Sequence, residues 1–210
     1  MLAFTHSTVP KIMESIDFLN IMTYDLMNRR DNVTKHHTSA ELSLEAVIAY
    51  LNRGLTPYKA NLGLAFYVKW FKTARGVHCH ERPIGCKTEL MEDPETGADL
   101  GQAGAFSWHD QIPDELSRSF AKALAHGAYD KKGGGHCFWD EAERLFWSWD
   151  TPDAIRRKLA PGSVLEEKKL GGVFAWGLGE DAPKFDHLRA ANAALGVLSA
   201  SRSNKDRSEL

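Results

Sequence analysis

The stretch Ile16-Asp17-Phe18-Leu19-Asn20-Ile21-Met22-Thr23-Tyr24-Asp25 is mostly apolar and β-prone, and turn chemistry follows in Asn28-Arg29-Arg30-Asp31-Asn32. That pattern predicts a buried strand over residues 16–25. Strand side chains alternate between faces, so Leu19, Ile21 and Thr23 share one face and Asn20, Met22 and Tyr24 the other. Two later stretches repeat the layout. In Ala60-Asn61-Leu62-Gly63-Leu64-Ala65-Phe66-Tyr67, the set Leu62, Leu64 and Phe66 opposes Gly63, Ala65 and Tyr67. In Gly171-Gly172-Val173-Phe174-Ala175-Trp176, Val173 and Ala175 oppose Gly172, Phe174 and Trp176. Each strand ends in a large aromatic residue with a polar tip. Three such ends side by side would form an aromatic cleft with the Asp25 carboxylate in it, a surface suited to a sugar ring.

Helical spacing takes over between the strands. Leu44, Val47, Ile48 and Leu51 follow the i, i+3, i+4, i+7 pattern over residues 43–53, with Ser43 as the expected cap and Gly54 as the stop. Strand, helix and strand make a βαβ unit, so the first two strands are expected to be parallel. A short helix over residues 9–15, with Pro10 near its start, leads into the first strand. Residues 73–107 carry little periodicity and read as a long loop. A helix over residues 113–126 turns Leu116, Phe120, Ala123 and Leu124 inward. Tyr129 to Gly135 reads as a turn between paired strands at residues 136–140 and 144–150. Trp139, Trp147 and Trp149 are expected in the core of that pair. Thr151 caps a helix through Leu159, and a final helix at residues 185–200 covers the last strand with Leu188, Ala191, Leu195 and Leu198.

Composition changes this picture little. Hydrophobic residues make up 43% of the 210 and charged ones 26%, an ordinary globular balance. A net charge of −2 offers no electrostatic case for nucleic acid or an anionic membrane. No apolar run approaches the roughly 20 residues of a membrane span. Met1-Leu2-Ala3-Phe4-Thr5-His6 has no basic start and no long apolar core, so it does not read as a signal peptide. Of three cysteines, Cys79 and Cys86 lie in one Gly/Pro-containing loop and would close a small disulfide in an oxidising compartment. His78-Cys79-His80-Glu81 lacks a second ligand pair at metal-site spacing, so no metal is expected. Gly133-Gly134-Gly135 is not followed by Lys-Ser or Lys-Thr, and no phosphate cofactor is expected either.

Met22-Thr23-Tyr24-Asp25, the Phe66-Tyr67 strand end and Gly171-Gly172-Val173-Phe174-Ala175-Trp176 together resemble the last three barrel strands of a glycoside hydrolase family 18 chitinase, most closely the filamentous-fungal group. The resemblance covers the chain to about Ser199. It implies an α/β fold: a partial TIM (β/α)8 barrel made of the last three strand-helix units, at residues 1–72 and 170–200. An α+β insertion domain would occupy residues 73–169, and residues 201–210 would form a flexible tail. The family's catalytic strand carries Asp-x-x-Asp-x-Asp-x-Glu, whose Glu is the general acid, and this sequence contains no such motif. About the first five barrel strands are absent with it.

In that family the substrate's own acetamido oxygen is the nucleophile. The resemblance gives Tyr24 and Asp25 the task of positioning the acetamido group. Met22 and Tyr67 would line the pocket, and Trp176 would form its floor. The function implied is that of a chitinase-like protein acting on or binding chitin or N-acetylglucosamine oligomers, as a fragment unable to hydrolyse alone. A chitooligosaccharide-binding lectin-like protein and an interaction fragment that completes a barrel with another chain are the alternatives. Exposed barrel edges, with Met22, Phe66 and Phe174 left bare, point to an oligomer or a partner chain. The resemblance implies an extracellular destination, whereas the chain as written, without a signal peptide, would stay in the cytoplasm.

Overall fold

In the computed structural model residues 3–208 are described, the side chains of 201–208 excepted. Helix α1 (Val9–Ser15) leads into strand β1 (Leu19–Ile21), helix α2 (Ala40–Leu51) and strand β2 (Ala60–Ala65). Strands β3 (Tyr67–Lys72) and β4 (Ala103–Ser107), helix α3 (Asp114–His126) and strands β5 (Ala128–Asp130), β6 (Gly135–Asp140) and β7 (Leu145–Trp149) follow. Helices α4 (Pro152–Lys158) and α5 (Val164–Glu167), strand β8 (Gly172–Trp176) and helix α6 (Asp186–Ser208) complete the order. The strands form two sheets: a parallel one in the order β1-β2-β8, and an antiparallel one in the order β4-β3-β7-β6-β5.

The parallel sheet carries the alternation expected of it. Ile21, Leu62, Leu64 and Phe66 are buried in one core with Val47, Ile155, Leu159, Ala191 and Leu198 from the helices, and Val173 and Ala175 pack against it. Tyr24, Ala65, Tyr67 and Phe174 cluster on the opposite face. Phe66 is fully buried, stacked on His187 at 5.4 Å, so it contributes nothing to a bare patch.

Several expectations are corrected. Strand β1 spans three residues instead of ten. Beyond Ile21 the Thr23 hydroxyl takes over the ladder, donating to the Gly63 carbonyl at 2.8 Å and accepting the Gly63 N–H at 2.9 Å. Glycine is required there: a Cβ on Gly63 would sit 2.7 Å from the Ile21 carbonyl oxygen. The second strand does not run through Tyr67. It ends at Ala65, and Tyr67 opens β3 of the antiparallel sheet. The chain thus changes sheets at Phe66, ahead of the boundary expected at residue 72. At the other end, Ile155, Leu159 and Leu165, inside the 73–169 span expected for the insertion, pack in the parallel-sheet core.

Residues 73–107 are not all loop. Ala103–Ser107 pair with β3, a partner more than thirty residues back in sequence. Ala-Gly-Ala shows no strand pattern because small residues are needed there: the Trp70 indole covers Gly104, and a Cβ would lie 2.7 Å from its Nε1. The α2 cap is Ser39, whose Oγ accepts the Leu42 N–H at 3.1 Å. Ser43 lies one turn further on and donates back to the Ser39 carbonyl. Leu124 is 53% exposed, one residue past the buried Ala123. Tyr129 and Asp130 belong to β5, so the turn is shorter than expected. Trp147 and Trp149 are core residues of one face of the antiparallel sheet, and Trp139 is buried on the other. The chain from residue 201 continues as helix to Ser208, while residues 1, 2, 209 and 210 lie outside the described residues.

Candidate functional site

The C-terminal ends of β1, β2 and β8 meet the start of β3, and a cleft of about 300 Å³ opens there. Asp25 sits in it with φ of 54°, a left-handed conformation that aspartate adopts more readily than most residues. One carboxylate oxygen, Asp25 Oδ1, accepts the Tyr67 hydroxyl at 2.8 Å and the Lys69 ammonium at 2.8 Å. Tyr67 and Lys69 lie two apart on β3 and so share a face. Trp176, at the end of β8, presents an indole 59% exposed to solvent. Ser107 and Asp110 from the end of β4, and Glu180 from the turn after β8, complete the rim.

Of the five residues the sequence singled out, Asp25, Tyr67 and Trp176 line this cleft. Tyr24 does not: it is buried behind it, its ring 6.3 Å from Tyr67 and 5.9 Å from Phe174. Met22 does not either; it is 68% exposed beyond the end of β1. Lys69, Asp110 and Glu180 line the cleft without being among those five. Lys69 was legible in principle from the i+2 spacing after Tyr67. Glu180 and Asp110 reach the cleft only through folding, when the Trp108 N–H donates to the Glu180 carbonyl at 3.2 Å.

Electrostatics set the state of these groups. Burial, then the Asp25 carboxylate, push the Tyr67 hydroxyl far above the ordinary tyrosine range. Burial, then Asp25 and Glu180, raise Tyr24 as well. Both phenols therefore keep their protons, and Tyr67 donates its own to Asp25. Burial and the nearby Asp110 raise Glu180 above the ordinary carboxyl range, Asp25 adding to the effect.

Beneath the cleft lies His37, with no exposed surface and its ring 5.2 Å from Tyr67. Neither ring nitrogen has a hydrogen-bond partner among the described residues. Burial, reinforced by Lys69 and Lys158, holds its pKa well below the ordinary value. Burial lowers His36 and His136 too. The unfolded chain therefore binds protons that the folded chain does not. Stability is fully present above pH of about 6.5 and is lost as pH falls toward the folded-state values. Denaturant midpoints should drop through this window, each such histidine contributing about 1.4 kcal/mol per pH unit. His37→Phe should flatten the slope; an unaltered slope would show that His37 is not one of the groups responsible.

Cys79, which a metal at His78-Cys79-His80-Glu81 would need, is joined to Cys86 in a disulfide with Cα atoms 6.1 Å apart. No group of three metal-ligating side chains gathers among the described residues. No helix among them is long and apolar enough to cross a membrane.

The model of the family described as glycosyl hydrolases family 18 matches residues 3–181. Chitinase 1 of Yersinia entomophaga is 25% identical over 196 residues, which is 83% of this chain and 34% of the relative. Endochitinase 1 of Metarhizium anisopliae is 27% identical over 176 residues, 79% of this chain and 36% of the relative. The likeness thus extends to bacterial as well as fungal enzymes and is not confined to the fungal group. A plant class V chitinase mutant of Cycas revoluta, solved in complex with (GlcNAc)3, superposes with a TM-score of 0.59 at 20% identity, covering 88% of this chain and 48% of that one. The chain spans about a third of the curated relatives and half of the solved structure, and it presents part of a TIM-barrel chitinase fold. On the family match, which takes in most of its length, the chain belongs to glycosyl hydrolase family 18.

Proposed function

We propose that this chain binds oligomers of N-acetylglucosamine in the cleft and does not cleave them on its own. The observation that carries the reading is the exposed Trp176 indole beside the Asp25, Tyr67 and Lys69 cluster. An apolar plate next to fixed donors and acceptors is what a sugar ring with an acetamido arm requires. Trp176 serves as the floor. Tyr67 and Asp25 orient the acetamido group, and Tyr24 holds Tyr67 from behind. The (GlcNAc)3 complex of the Cycas revoluta relative supports the choice of ligand.

The proposal that binding occurs without cleavage rests on the absence of Asp-x-x-Asp-x-Asp-x-Glu from the sequence. Loss of a general acid alone forfeits about 10²–10⁴-fold in rate. Titration calorimetry with a chitin oligomer, run beside a reducing-sugar assay, tests both halves. Heat without reducing ends is expected. No heat would reject the site, and reducing ends would reject the inert-fragment reading and make Glu180 the first residue to replace.

A second reading, a partner chain or second copy that completes the barrel, is favoured by the parallel sheet itself. The outer edges of β1 and β8 are unpaired among the described residues, and Phe18 and Met22 are exposed at 57% and 68%. Open edges of that kind recruit partners. Sedimentation should then show oligomers; a stable monomer counts against this reading. The Cys79–Cys86 disulfide supports an oxidising, extracellular destination.

A further inference from the structure

His37 lies beneath the cleft and takes no part in lining it. Its backbone is fixed, the N–H donating to the Ser148 hydroxyl at 3.1 Å and the carbonyl accepting the Leu26 N–H at 3.1 Å. The ring is fully buried, yet neither of its nitrogens has a hydrogen-bond partner among the described residues. Leaving a buried imidazole unsatisfied is costly, so its position calls for a reason. Nδ1 lies 4.0 Å from Asp25 Oδ1, too far for a hydrogen bond but within ion-pair reach. That same oxygen already takes the Tyr67 hydroxyl and the Lys69 ammonium, each at 2.8 Å. The Asp25 side chain is 51% exposed and has room to move, whereas the imidazole has none.

We infer that His37 is a positioning residue for Asp25: as the neutral imidazole it leaves the carboxylate to Tyr67 and Lys69, and once protonated it draws the carboxylate away and weakens sugar binding. This rests on the sugar-binding reading of the Trp176 cleft. A neutral ring at that distance exerts little pull on Asp25. An imidazolium there competes with Lys69 for one oxygen, and two cations at one oxygen repel each other. The groups facing the ring are Asp25 beyond β1, Tyr67 and Lys69 of β3, Lys158 of α4 and the adjacent His36. Burial, then Lys69, Lys158 and His36, oppose protonation, and the Tyr67 backbone favours it. The Tyr67 hydroxyl keeps its proton, and Lys158 is paired with Asp150. The neutral ring therefore prevails near neutral pH. Affinity is full above the folded-state pKa of His37 and is lost as pH falls through it. Linkage makes the effect reciprocal: an oligomer that selects the neutral ring lowers the pKa of that ring further.

Two measurements on the whole chain test this, run from about pH 7.5 downward through the range in which it stays folded. Calorimetric titration with a chitin oligomer should give an affinity that falls with pH, by up to about tenfold per pH unit for one linked proton. The His37 ring resonances, assigned by nuclear magnetic resonance through the backbone, should titrate at a lower pH when the oligomer is saturating. Glu180 also stands in the cleft with a raised pKa, so Glu180→Gln is the control: the acid loss of affinity should persist in it and disappear in His37→Gln. A ring titration that bound oligomer leaves in place would overturn the inference and leave the sugar-binding reading standing. So would an acid loss that survives His37→Gln or that vanishes with Glu180→Gln. Should His37→Gln not fold, the ring titration of the unmutated chain decides alone. Failure of the oligomer to bind near neutral pH would overturn the sugar-binding reading and the inference with it.

Discussion

Replacing Trp176 by alanine is expected to abolish oligomer binding. The indole ends β8 at the cleft mouth with 59% of its surface exposed, so little of it serves the core. Covering an aromatic plate with a sugar face removes apolar area worth about 2 kcal/mol, or roughly 30-fold in affinity. From a weak starting affinity that loss takes binding below detection. Stability should hardly change, because the side chain makes none of the ring contacts that tie the sheets together. The Asp25→Asn change should weaken binding less, by a few-fold: the amide keeps one acceptor for Tyr67 but loses the charge that holds Lys69. Calorimetric titration of the three proteins checks the order. Equal heats for the unmutated chain and Trp176→Ala would mean that the sugar does not lie on this indole.

Replacing Asp150 by alanine should have the largest effect on stability. Asp150 is 1% exposed at the end of β7. Its Oδ1 accepts the Thr38 hydroxyl at 3.1 Å and its Oδ2 the Lys158 ammonium at 2.6 Å. Lys158, 7% exposed, also donates to the Thr38 carbonyl, and the Asp150 carbonyl meets His187 Nε2 at 2.9 Å. Four segments meet there: the loop before α2, β7, α4 and α6. Burial lowers the Lys158 pKa, and Asp150 is the charge that opposes the shift. Without the carboxylate a buried ammonium is left unpaired, at a cost of about 3–5 kcal/mol. The variant's stability should then climb with pH, since the unfolded chain keeps a proton on Lys158 that the folded chain sheds. Asp150→Ala combined with Lys158→Met should recover much of the loss. Chemical denaturation decides: a single-variant loss under about 1 kcal/mol would mean that Lys158 reaches solvent or another acceptor.

Both experiments act on residues of different legibility. Trp176 stood out in the sequence because it closes a strand whose alternation was clear. Asp150 did not. Trp149-Asp150-Thr151-Pro152 reads locally as a strand end and a helix cap, and Thr151 does cap α4 through the Ala154 N–H. That Asp150 faces a lysine eight residues on and a threonine over a hundred residues back is a property of packing alone.

Local pattern by itself determined which faces of the three parallel strands are buried, where the amphipathic helices lie, and that Trp176 ends a strand. Those features follow from side-chain periodicity, which burial of one face imposes directly on the sequence. Only the tertiary structure decided that Tyr67 opens a strand of the other sheet, that Ala103–Ser107 form a strand at all, and that Tyr24 and Met22 stand outside the cleft. It alone brought Lys69 onto Asp25 and set Asp110 and Glu180 opposite them. The physical reason is range. A small-residue strand such as β4 is fixed by the indole that covers it, and a rim carboxyl by the sheet edge that carries it to the cleft. Neither partner lies within the window over which hydrophobic periodicity carries information.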